Sequence, residues 1–472
     1  MQDCRQFYIN GQWVNPSIQQ DFPVYNPTTE EQVGTISLGS TEDVDLAVKA
    51  AKTAFTTFSN TRVEVRISLL EALLKQYMDN YDAMAQAISL EIGAPIDFST
   101  NAQADCGKGH IEAAISALKE YQFSRTLGNA EIVKEPIGVC GFITPWNWPI
   151  NQIACKVIPA LATGCTMVLK PSEIAPLSAQ LFSQMIHDAG YPAGVYNMVH
   201  GDGMGVGSAI SGHKDIDMVS FTGSTRAGIA IAKSAADTVK RVTQELGGKS
   251  PNIILDDADI ETAVTNGILH CMSNSGQSCN APTRMLVPAS RYEEAIAVAK
   301  ETIDKIKVGD PAEHGDHIGP LVSESHFEKV QAMILRGIKE GATLLAGGAG
   351  KPEGFSTGYF TKPTIFTDVT NDMYIAQEEI FGPVLVMISY EDEAEAISIA
   401  NDTPYGLAAY IQSKDPKRAT NVAKKIRAGM ICINGGIHQY TSPFGGFKQS
   451  GNGREWGAFG FEDFLETKSI TI

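Results

Sequence analysis

The spacing of hydrophobic and polar residues divides the chain into two kinds of region. From Ser40 to Lys119, apolar residues recur at intervals of three and four, as in Val63–Tyr81, and this spacing predicts helices. From Gly138 onward, apolar runs of strand length alternate with helical segments, and Gly164 and Gly190 stand where helices are expected to end. This alternation predicts an α/β fold with a parallel sheet covered by helices on both faces and ligands at the carboxyl ends of the strands. The alternating segments are Gly138–Ile143, Ile153–Ala162, Thr166–Leu169, Leu177–Ala189, Val195–Val199, Val206–Ser211, Met218–Phe221 and Ala227–Ala236.

A second alternation of strands and helices follows the first. The break between them lies near Gly247 and Gly248, where two consecutive glycines allow the backbone to hinge. The pattern therefore predicts a second α/β domain. Its predicted helices are Ile260–Ser273 and Tyr292–Ile306, and its predicted strands are Arg284–Val287, Pro383–Ile388, Ala408–Ile411 and Met430–Ile433.

Composition narrows the classes of partner. A chain of 472 residues is too long for one ordinary core, and a net charge of −17 argues against nucleic acid or an anionic membrane as the main partner. Met1–Val14 lacks a basic start followed by an apolar run, and no later stretch is apolar enough to span a bilayer, so we expect a cytoplasmic protein. His314 and His317 have no third ligand nearby in the sequence, so we expect no metal site there.

Two segments of the first alternation carry candidate cofactor chemistry. In Phe221–Gly228, Gly223 permits a sharp turn after a strand and Ser224 can cap the next helix, whose free N–H groups would suit a pyrophosphate. An ordinary capped helix fits these residues as well. Lys170 and Glu173 follow another strand, where such side chains bind ribose hydroxyls, although a solvated surface pair is the alternative.

The turn after Gly138–Ile143 does not contain the Gly-x-Gly-x-x-Gly pattern of a standard dinucleotide site. It has the sequence Thr144–Pro149, so a dinucleotide bound here must be bound in another way.

Cys279 is the candidate nucleophile. Among eight cysteines it is the one preceded by small, polar residues at a helix end, in Ser275–Cys279, which predicts an accessible loop. The other cysteines that we can place, Cys432 among them, fall in helical patterns or beside apolar strands and are expected to be inert. A structural thiol at position 279 remains compatible with the pattern alone.

Together these segments resemble the NAD(P)-dependent aldehyde dehydrogenase superfamily. Seven motifs occur in the order of that family and cover nearly the whole chain, which chance does not plausibly explain. They are Pro145–Pro149, Lys170–Glu173, Phe221–Thr225, Glu245–Lys249, Gly276–Cys279, Glu379–Pro383 and Pro443–Gly446.

The resemblance implies an oxidation of aldehyde to carboxylic acid. Cys279 would attack the aldehyde carbon, and the side-chain amide of Asn147 with the backbone N–H of Cys279 would hold the oxyanion. Glu245 would activate the water that hydrolyses the resulting thioester. Lys156 and Glu455 match positions suggested for proton relay in relatives.

The resemblance also implies the cofactor and substrate contacts. The cofactor would be NAD, with NADP possible, and the carboxylate of Glu173 favours NAD because it repels a 2′-phosphate. The implied cofactor-binding residues are Lys170 and Glu173 at the adenosine ribose, Gly223 and Ser224 at the pyrophosphate, Glu379 at the nicotinamide ribose, and Phe381 and Trp146 nearby. The implied residues of the aldehyde pocket are Trp148, Ser278, Asn280 and Phe444.

The implied architecture has two Rossmann-like open-sheet domains and a small oligomerisation element. Residues 1–118 and 137–247 would form the NAD(P)-binding domain, and residues 248–446 the catalytic domain. Residues 119–136 and 447–472 would mediate a homo-oligomer, a dimer or a tetramer, with Phe464–Ile472 pairing with the sheet of a neighbouring subunit.

Two other functions compete with this one. A CoA-acylating semialdehyde dehydrogenase of the same fold would pass the thioester to CoA and would not need a base at Glu245. A non-catalytic structural paralogue would not need Cys279, Asn147, Glu245 and Glu379 together.

Overall fold

The structure is a computed structural model, and it describes residues 1–471. Within these residues the strands, in chain order, are β1 (Gln2–Cys4), β2 (Phe7–Ile9), β3 (Gln12–Val14), β4 (Asp21–Tyr25), β5 (Gln32–Ser37), β6 (Ser124–Leu127), β7 (Ala130–Pro136), β8 (Val139–Ile143), β9 (Thr166–Lys170), β10 (Tyr196–Met198), β11 (Met218–Thr222), β12 (Arg241–Glu245), β13 (Pro251–Ile254), β14 (Arg284–Pro288), β15 (Thr343–Ala346), β16 (Thr364–Thr367), β17 (Val384–Tyr390), β18 (Ala408–Gln412), β19 (Met430–Ile433), β20 (Gly451–Asn452) and β21 (Leu465–Thr471).

The α-helices of the same residues are α1 (Thr41–Phe58), α2 (Val63–Asp79), α3 (Tyr81–Ile92), α4 (Ile96–Phe98), α5 (Ala104–Glu120), α6 (Pro149–Thr163), α7 (Leu177–Asp188), α8 (Ser208–Gly212), α9 (Thr225–Ala235), α10 (Ile260–Met272), α11 (Tyr292–Ile303), α12 (Glu324–Glu340), α13 (Tyr374–Gln377), α14 (Glu393–Asn401), α15 (Pro416–Ala423) and α16 (Phe459–Glu462). None of them is long and apolar enough to cross a membrane.

The larger sheet has eight strands in the order β20-β12-β11-β8-β9-β10-β2-β3. Strands β12, β11, β8, β9 and β10 run parallel to one another, and β2, β3 and β20 add antiparallel edges. All residues of β8, β9 and β11 are buried, as expected for a parallel sheet that is covered on both faces. The α/β prediction for the first region is therefore confirmed.

The second sheet has seven strands in the order β15-β16-β17-β14-β13-β18-β19. Its strands are parallel except for β15. The predicted strands correspond to β14, β17, β18 and β19, with bounds that differ by a few residues. The predicted elements do not include β13, β15, β16 or α12.

Another sheet contains strands from both segments of the predicted oligomerisation element, residues 119–136 and 447–472. Strands β6 and β7 form an antiparallel hairpin, and β21 pairs antiparallel with β7 from Leu465 opposite Pro136 to Thr471 opposite Ala130. One edge of β21 is thus paired within its own chain, and the expected pairing of this strand with a neighbouring subunit's sheet stays a prediction that concerns its other edge. Ile472, the last residue of the predicted strand, lies outside the described residues.

Helix ends follow their predicted signals. Ser40 caps α1 in a reciprocal arrangement with Asp43, and Gly164 ends α6 with a left-handed φ of 96°. Gly190, with a φ of 81°, directly follows Ala189 at the end of α7. Helices α6 and α9 follow β8 and β11 in the chain, so they begin near the carboxyl ends of these strands, where the candidate residues collect.

Candidate active site

The segment before Cys279 is a short left-handed turn after α10. Asn274, Ser275 and Gly276 have φ values of 53°, 54° and 71°. Left-handed backbone costs a non-glycine residue about 1–2 kcal/mol, so other contacts must hold this turn. The hydroxyl of Ser275 donates to the carbonyl of Gly319 at 2.8 Å, and the N–H of Val322 donates to the side chain of Gln277 at 3.0 Å.

The turn is buried, which differs from the accessible loop that the sequence predicted. Its residues 274 to 277 are buried, whereas Cys279 itself is partly exposed. The small, polar residues serve internal hydrogen bonds and close packing rather than contact with water. Six other cysteines are buried, and Cys432 is the second partly exposed one in the described part of the chain.

Burial raises the pKa of Cys279, and the negative charges of Glu379 and Glu245 raise it further. Hydrogen bonds from the backbone N–H groups of Cys279 and Asn280 act in the opposite direction on this pKa. These N–H groups are directed at the sulfur and would stabilise negative charge that forms beside it. The resting group is a thiol that needs a proton acceptor before it can attack a carbonyl carbon.

Asn147 lies between β8 and α6 and is buried. Its side-chain amide donates to the carbonyl of Gln277 at 3.1 Å, and its own carbonyl accepts from Gln103 at 3.1 Å and Asn274 at 2.9 Å. These bonds fix the amide against the nucleophile turn. An amide nitrogen carries two protons, so one remains for a further acceptor.

Glu245 ends β12, and both of its carboxylate oxygens are buried without a hydrogen-bond partner. Burial raises its pKa well above the ordinary range, and the charge of Glu455 raises it further, while Lys156 and Arg454 lower it. A Cβ atom added to Gly445 would come within 2.8 Å of one carboxylate oxygen. The carboxyl group is thus held in a close-fitting position, with its pKa raised by burial.

Lys156 and Glu455 form a buried ion pair. Burial is the largest influence on the pKa of Lys156 and lowers it, but Glu455, Cys155 and Glu245 together outweigh burial and leave this pKa above its usual value. Lys156 lies on α6, and Glu455 pairs through its backbone with Phe444. The structure therefore brings both predicted relay residues within electrostatic reach of Glu245.

The residues predicted for the adenosine ribose lie at the end of β9. The ammonium group of Lys170 donates to Glu173 at 2.9 Å and to the carbonyl of Gly201 at 2.7 Å. Ser224 caps α9, accepting from the N–H of Ala227 at 3.3 Å. The two predicted cofactor segments therefore lie at the ends of strands of the same sheet.

Glu379 lies against the pair of glycines that follows Glu245. Its carboxylate accepts from the N–H of Gly248 at 3.0 Å, and burial raises its pKa to about 6. A Cβ atom on Gly247 would come within 2.5 Å of this carboxylate, and one on Gly248 within 2.3 Å of the carbonyl oxygen of Cys279. Neither glycine has a left-handed φ, so close packing between Glu379 and the nucleophile loop explains them.

Three aromatic rings form one wall near Glu379. The rings of Trp146 and Phe381 meet edge to face with centroids 5.5 Å apart, and His326 meets Trp146 at 5.2 Å. Burial lowers the pKa of His326 to about 4, so the imidazole is neutral near pH 7.

A single cavity joins the nucleophile to part of the predicted cofactor site. Seven predicted residues line it: Trp146, Asn147, Gly223, Ser224, Cys279, Glu379 and Phe381. The other lining residues, which sequence analysis missed, are Pro145, Gln152, Thr222, Leu246, Gly247, His326 and Lys329. His326 and Lys329 belong to α12, far from every motif in the sequence, and only the tertiary structure identifies them.

The remaining predicted residues are not among those that line this cavity. They are Lys156, Glu245 and Glu455, Lys170 and Glu173, and Trp148, Ser278, Asn280 and Phe444.

The predicted pocket residues flank the nucleophile on two sides. The indole N–H of Trp148 donates to the hydroxyl of Ser278 at 2.8 Å. The carbonyl of Asn280 accepts from the hydroxyl of Tyr410 at 2.9 Å. Phe444 stacks on Trp456 with ring centroids 4.7 Å apart, and both pack in the cluster that contains Cys279.

Comparison with known families and relatives gives matches along the whole chain. A family model described as "Aldehyde dehydrogenase family" matches residues 13–470. The chain is 55% identical to 3-succinoylsemialdehyde-pyridine dehydrogenase from a Pseudomonas species, over 100% of this chain and 99% of that protein.

Solved structures give the same result. A mutant of aldehyde dehydrogenase C from Pseudomonas syringae, in complex with NAD+ and octanal, matches with a TM-score of 0.98 and 50% identity over 99% of this chain and 96% of that one. An aldehyde dehydrogenase from Bartonella henselae matches with a TM-score of 0.98 and 51% identity over 100% of both chains. An aldehyde dehydrogenase from Mycobacterium tuberculosis in complex with NAD+ matches with a TM-score of 0.97 and 38% identity, over 100% of this chain and 98% of that one.

Proposed function

The chain belongs to the aldehyde dehydrogenase family and is an NAD-dependent enzyme that oxidises aldehydes to carboxylic acids, and we propose that Cys279 carries the reaction as a thioester. The observation that carries the proposal is the shared cavity. Cys279 and Asn147 line it together with Ser224, Glu379 and Phe381, so a nucleophile and an oxyanion donor adjoin the predicted cofactor residues.

The first step is addition of Cys279 to the aldehyde. The proton of the Cys279 thiol passes to water or to Glu245 in its carboxylate form, the sulfur bonds to the carbonyl carbon, and the carbonyl oxygen becomes an oxyanion. The second N–H of the Asn147 side-chain amide and the backbone N–H of Cys279 donate hydrogen bonds to this oxyanion. Both donors are fixed in position before the substrate arrives. Collapse of the oxyanion with loss of hydride leaves a thioester on Cys279.

Glu245 acts as the base in hydrolysis of the thioester. Its two unpartnered oxygens can accept a proton from a water molecule directed at the thioester carbon. Burial raises the pKa of Glu245, which makes its carboxylate a stronger base toward water. Lys156 and Glu455, which are linked to each other, carry this proton away from the buried carboxyl group.

The residues present fit a dinucleotide. The hydroxyl of Thr222, which lines the cavity beside Gly223 and Ser224, is buried without a hydrogen-bond partner and can serve a ligand. A Cβ atom on Gly223 would come within 2.5 Å of the Phe221 ring, so a side chain there would crowd the turn. NAD+, when bound, supplies the hydride acceptor.

NAD is preferred to NADP in this proposal. The carboxylate of Glu173 accepts hydrogen bonds from free ribose hydroxyls and repels a 2′-phosphate. Lys170 is held by Glu173 and the carbonyl of Gly201, so its positive charge is already partly compensated.

The aldehyde enters beside Trp148, Ser278, Asn280 and Phe444, which flank Cys279 and set the shape of the pocket. One similar protein is in complex with octanal, and another is named for a semialdehyde that contains a pyridine ring. Extended aldehydes and aldehydes with an aromatic ring are therefore the first candidate substrates. The enzyme acts in the cytoplasm as a homo-oligomer.

The division into domains is part of the proposal. Residues 1–118 and 137–247 form the cofactor domain and residues 248–446 the catalytic domain, while 119–136 and 447–472 mediate assembly. Strands β2, β3 and β8 to β12 of one sheet, β13 to β19 of another and the β21-β7-β6 sheet support this division. Strand β20, from the last segment, adds an edge to the cofactor sheet and so links the parts.

An absorbance assay of NADH formation tests the function. We expect activity with at least one of propanal, benzaldehyde, octanal and succinic semialdehyde, without CoA. A rate that requires CoA would indicate the acylating reaction, and no NADH with any aldehyde at high enzyme concentration would favour a structural paralogue.

A further inference from the structure

Two strained backbone segments touch each other beside the cavity. Phe381 has a left-handed φ of 62°, which is unusual for an aromatic residue. The turn before Cys279 is also left-handed. Its Gly276 packs against Gly382, the residue after Phe381, so tightly that a Cβ atom added to Gly276 would lie 2.1 Å from the carbonyl oxygen of Gly382. The backbone at residues 381 and 382 therefore forms a support for the nucleophile loop.

His326 holds this support from the other side. Its Nε2 donates to the carbonyl oxygen of Phe381 at 2.6 Å. A carbonyl oxygen only accepts, so Nε2 carries the proton. The His326 ring lies edge-on to Phe381, with centroids 5.9 Å apart, and also contacts Trp146.

Helix α12 contacts both residues of the support. Ser323 caps the helix by accepting from the N–H of His326 at 3.3 Å, which fixes the turn that carries the imidazole. One turn further, Val330 lies where a Cβ atom on Gly382 would come within 2.8 Å of it. The helix thus positions Phe381 through a hydrogen bond and Gly382 through close packing.

We propose that His326 is a positioning residue, which holds Phe381 in its left-handed conformation and thereby couples the cofactor wall to the Cys279 loop. This inference rests on the proposed function in one respect, because it takes NAD+ as the ligand that binds beside the rings of Trp146 and Phe381. Residues held in rare backbone conformations persist only when their surroundings determine them, and the hydrogen bond from His326 is the directional contact on the Phe381 peptide.

Loss of this bond has two separable consequences. The Phe381 carbonyl loses its partner and the peptide can rotate, so the ring no longer faces Trp146 and the cofactor wall is disordered. The support under Gly276 also shifts, which changes the approach of reagents to Cys279. If His326 had only a structural role, its loss would lower stability but would not change NAD+ binding and the reactivity of Cys279 together.

The test compares His326→Phe, which keeps an aromatic ring without a donor, with His326→Gln, which keeps an N–H donor. His314→Phe is the matched control, because His314 is exposed and its side chain pairs with Asp97.

Calorimetry measures NAD+ binding, and mass spectrometry measures the rate of Cys279 alkylation by iodoacetamide with and without NAD+. We expect His326→Phe to weaken NAD+ binding by about tenfold, the effect of one lost hydrogen bond. It should also abolish most of the effect of NAD+ on the alkylation rate, whereas His326→Gln and His314→Phe stay within about twofold of the wild type.

A double-mutant comparison separates the positioning role from a general loss of folding stability. Phe381→Gly removes the conformational strain, so His326→Phe should cost less NAD+ affinity in a Phe381→Gly background than in the wild type. Equal costs in both backgrounds, or wild-type binding and alkylation in His326→Phe, would overturn the proposal. Absence of NAD+ binding by the wild type would contradict the proposed function instead, and the alkylation rates without cofactor would still decide the role of His326.

Discussion

The ammonium group of Lys156 and the carboxylate of Glu455, which are 299 positions apart in the chain, form an ion pair with 1% and 12% of their side chains exposed. Both charges act on Glu245, but in opposite directions: Glu455 raises its pKa and Lys156 lowers it. The pair therefore sets the strength of the proposed base.

Removing one charge at a time should shift the pH dependence of turnover in opposite directions. Glu245 is active as a base only when deprotonated, so the rate of thioester hydrolysis rises as pH passes its pKa. Lys156→Met removes the charge that lowers this pKa and should move the rise to higher pH, by roughly one unit. Glu455→Gln should move it to lower pH. Profiles of kcat against pH measure both shifts.

The exposed ion pair between Lys52 and Asp215 supplies the control for that experiment. Lys52→Met should leave the profile unchanged. Shifts of both buried variants in the same direction would contradict the opposing roles of Lys156 and Glu455.

Glu245→Gln should separate oxidation from hydrolysis. Glutamine keeps the shape of the side chain but cannot accept the proton of water, so acylation proceeds while the thioester accumulates. We expect a burst of NADH equal to the enzyme concentration, then turnover slowed by roughly 10²–10⁴-fold. Mass spectrometry should detect an acyl group on Cys279. If Cys279 also needs Glu245 to lose its proton, the burst itself will be slower. Unchanged steady-state turnover would exclude Glu245 as the base.

Cys279→Ala should abolish oxidation while NAD+ affinity stays within about twofold, because the sulfur forms the covalent bond but does not shape the predicted ribose and pyrophosphate contacts. Iodoacetamide should label Cys279 of the wild type before the other cysteines. Cys432→Ala is the control, since Cys432 is the other partly exposed cysteine among residues 1–471. Labelling of another cysteine in step with inactivation would refute the assignment.

Glu173→Gln should improve the use of NADP. The substitution removes the charge that repels a 2′-phosphate but leaves an oxygen that can accept from Lys170, so the ratio of kcat/KM for NADP to that for NAD should rise by roughly tenfold. Glu294→Gln removes a carboxylate from a similarly spaced pair with Arg291 and should not change this ratio. A wild-type kcat/KM for NADP equal to that for NAD would already contradict the preference.

The protein should be at least a dimer in solution. Strand β6 is exposed along its whole length, and β21 is exposed except for Leu465, so their outward faces are available to a second subunit. Static light scattering at micromolar concentration measures the mass, for which we expect a dimer or tetramer of the 50.7 kDa chain. A stable monomer would disprove this prediction.

The segment before Cys279 is predicted to be an accessible loop but is buried in the structure, and the difference has a physical reason. Glycine, serine and asparagine are common in exposed loops, so the composition of this segment predicts one. In the structure Asn274 and Ser275 are buried and left-handed, because their side chains bond to Asn147, Gln277 and Gly319. Those partners lie up to 127 positions away, so no local pattern could reveal them.

The amino-acid sequence by itself determined the α/β class, the positions of most core strands and the identity of Cys279, Asn147 and Glu245 as candidates. Periodicity records which face of an element is buried, and short motifs retain the residue types that the chemistry needs. Only the tertiary structure decided the partners: the pairing of β21 with β7, the approach of Lys156 to Glu455 and the contact of His326 with Phe381. Such contacts join distant segments, and they depend on distances and burial that local sequence does not encode.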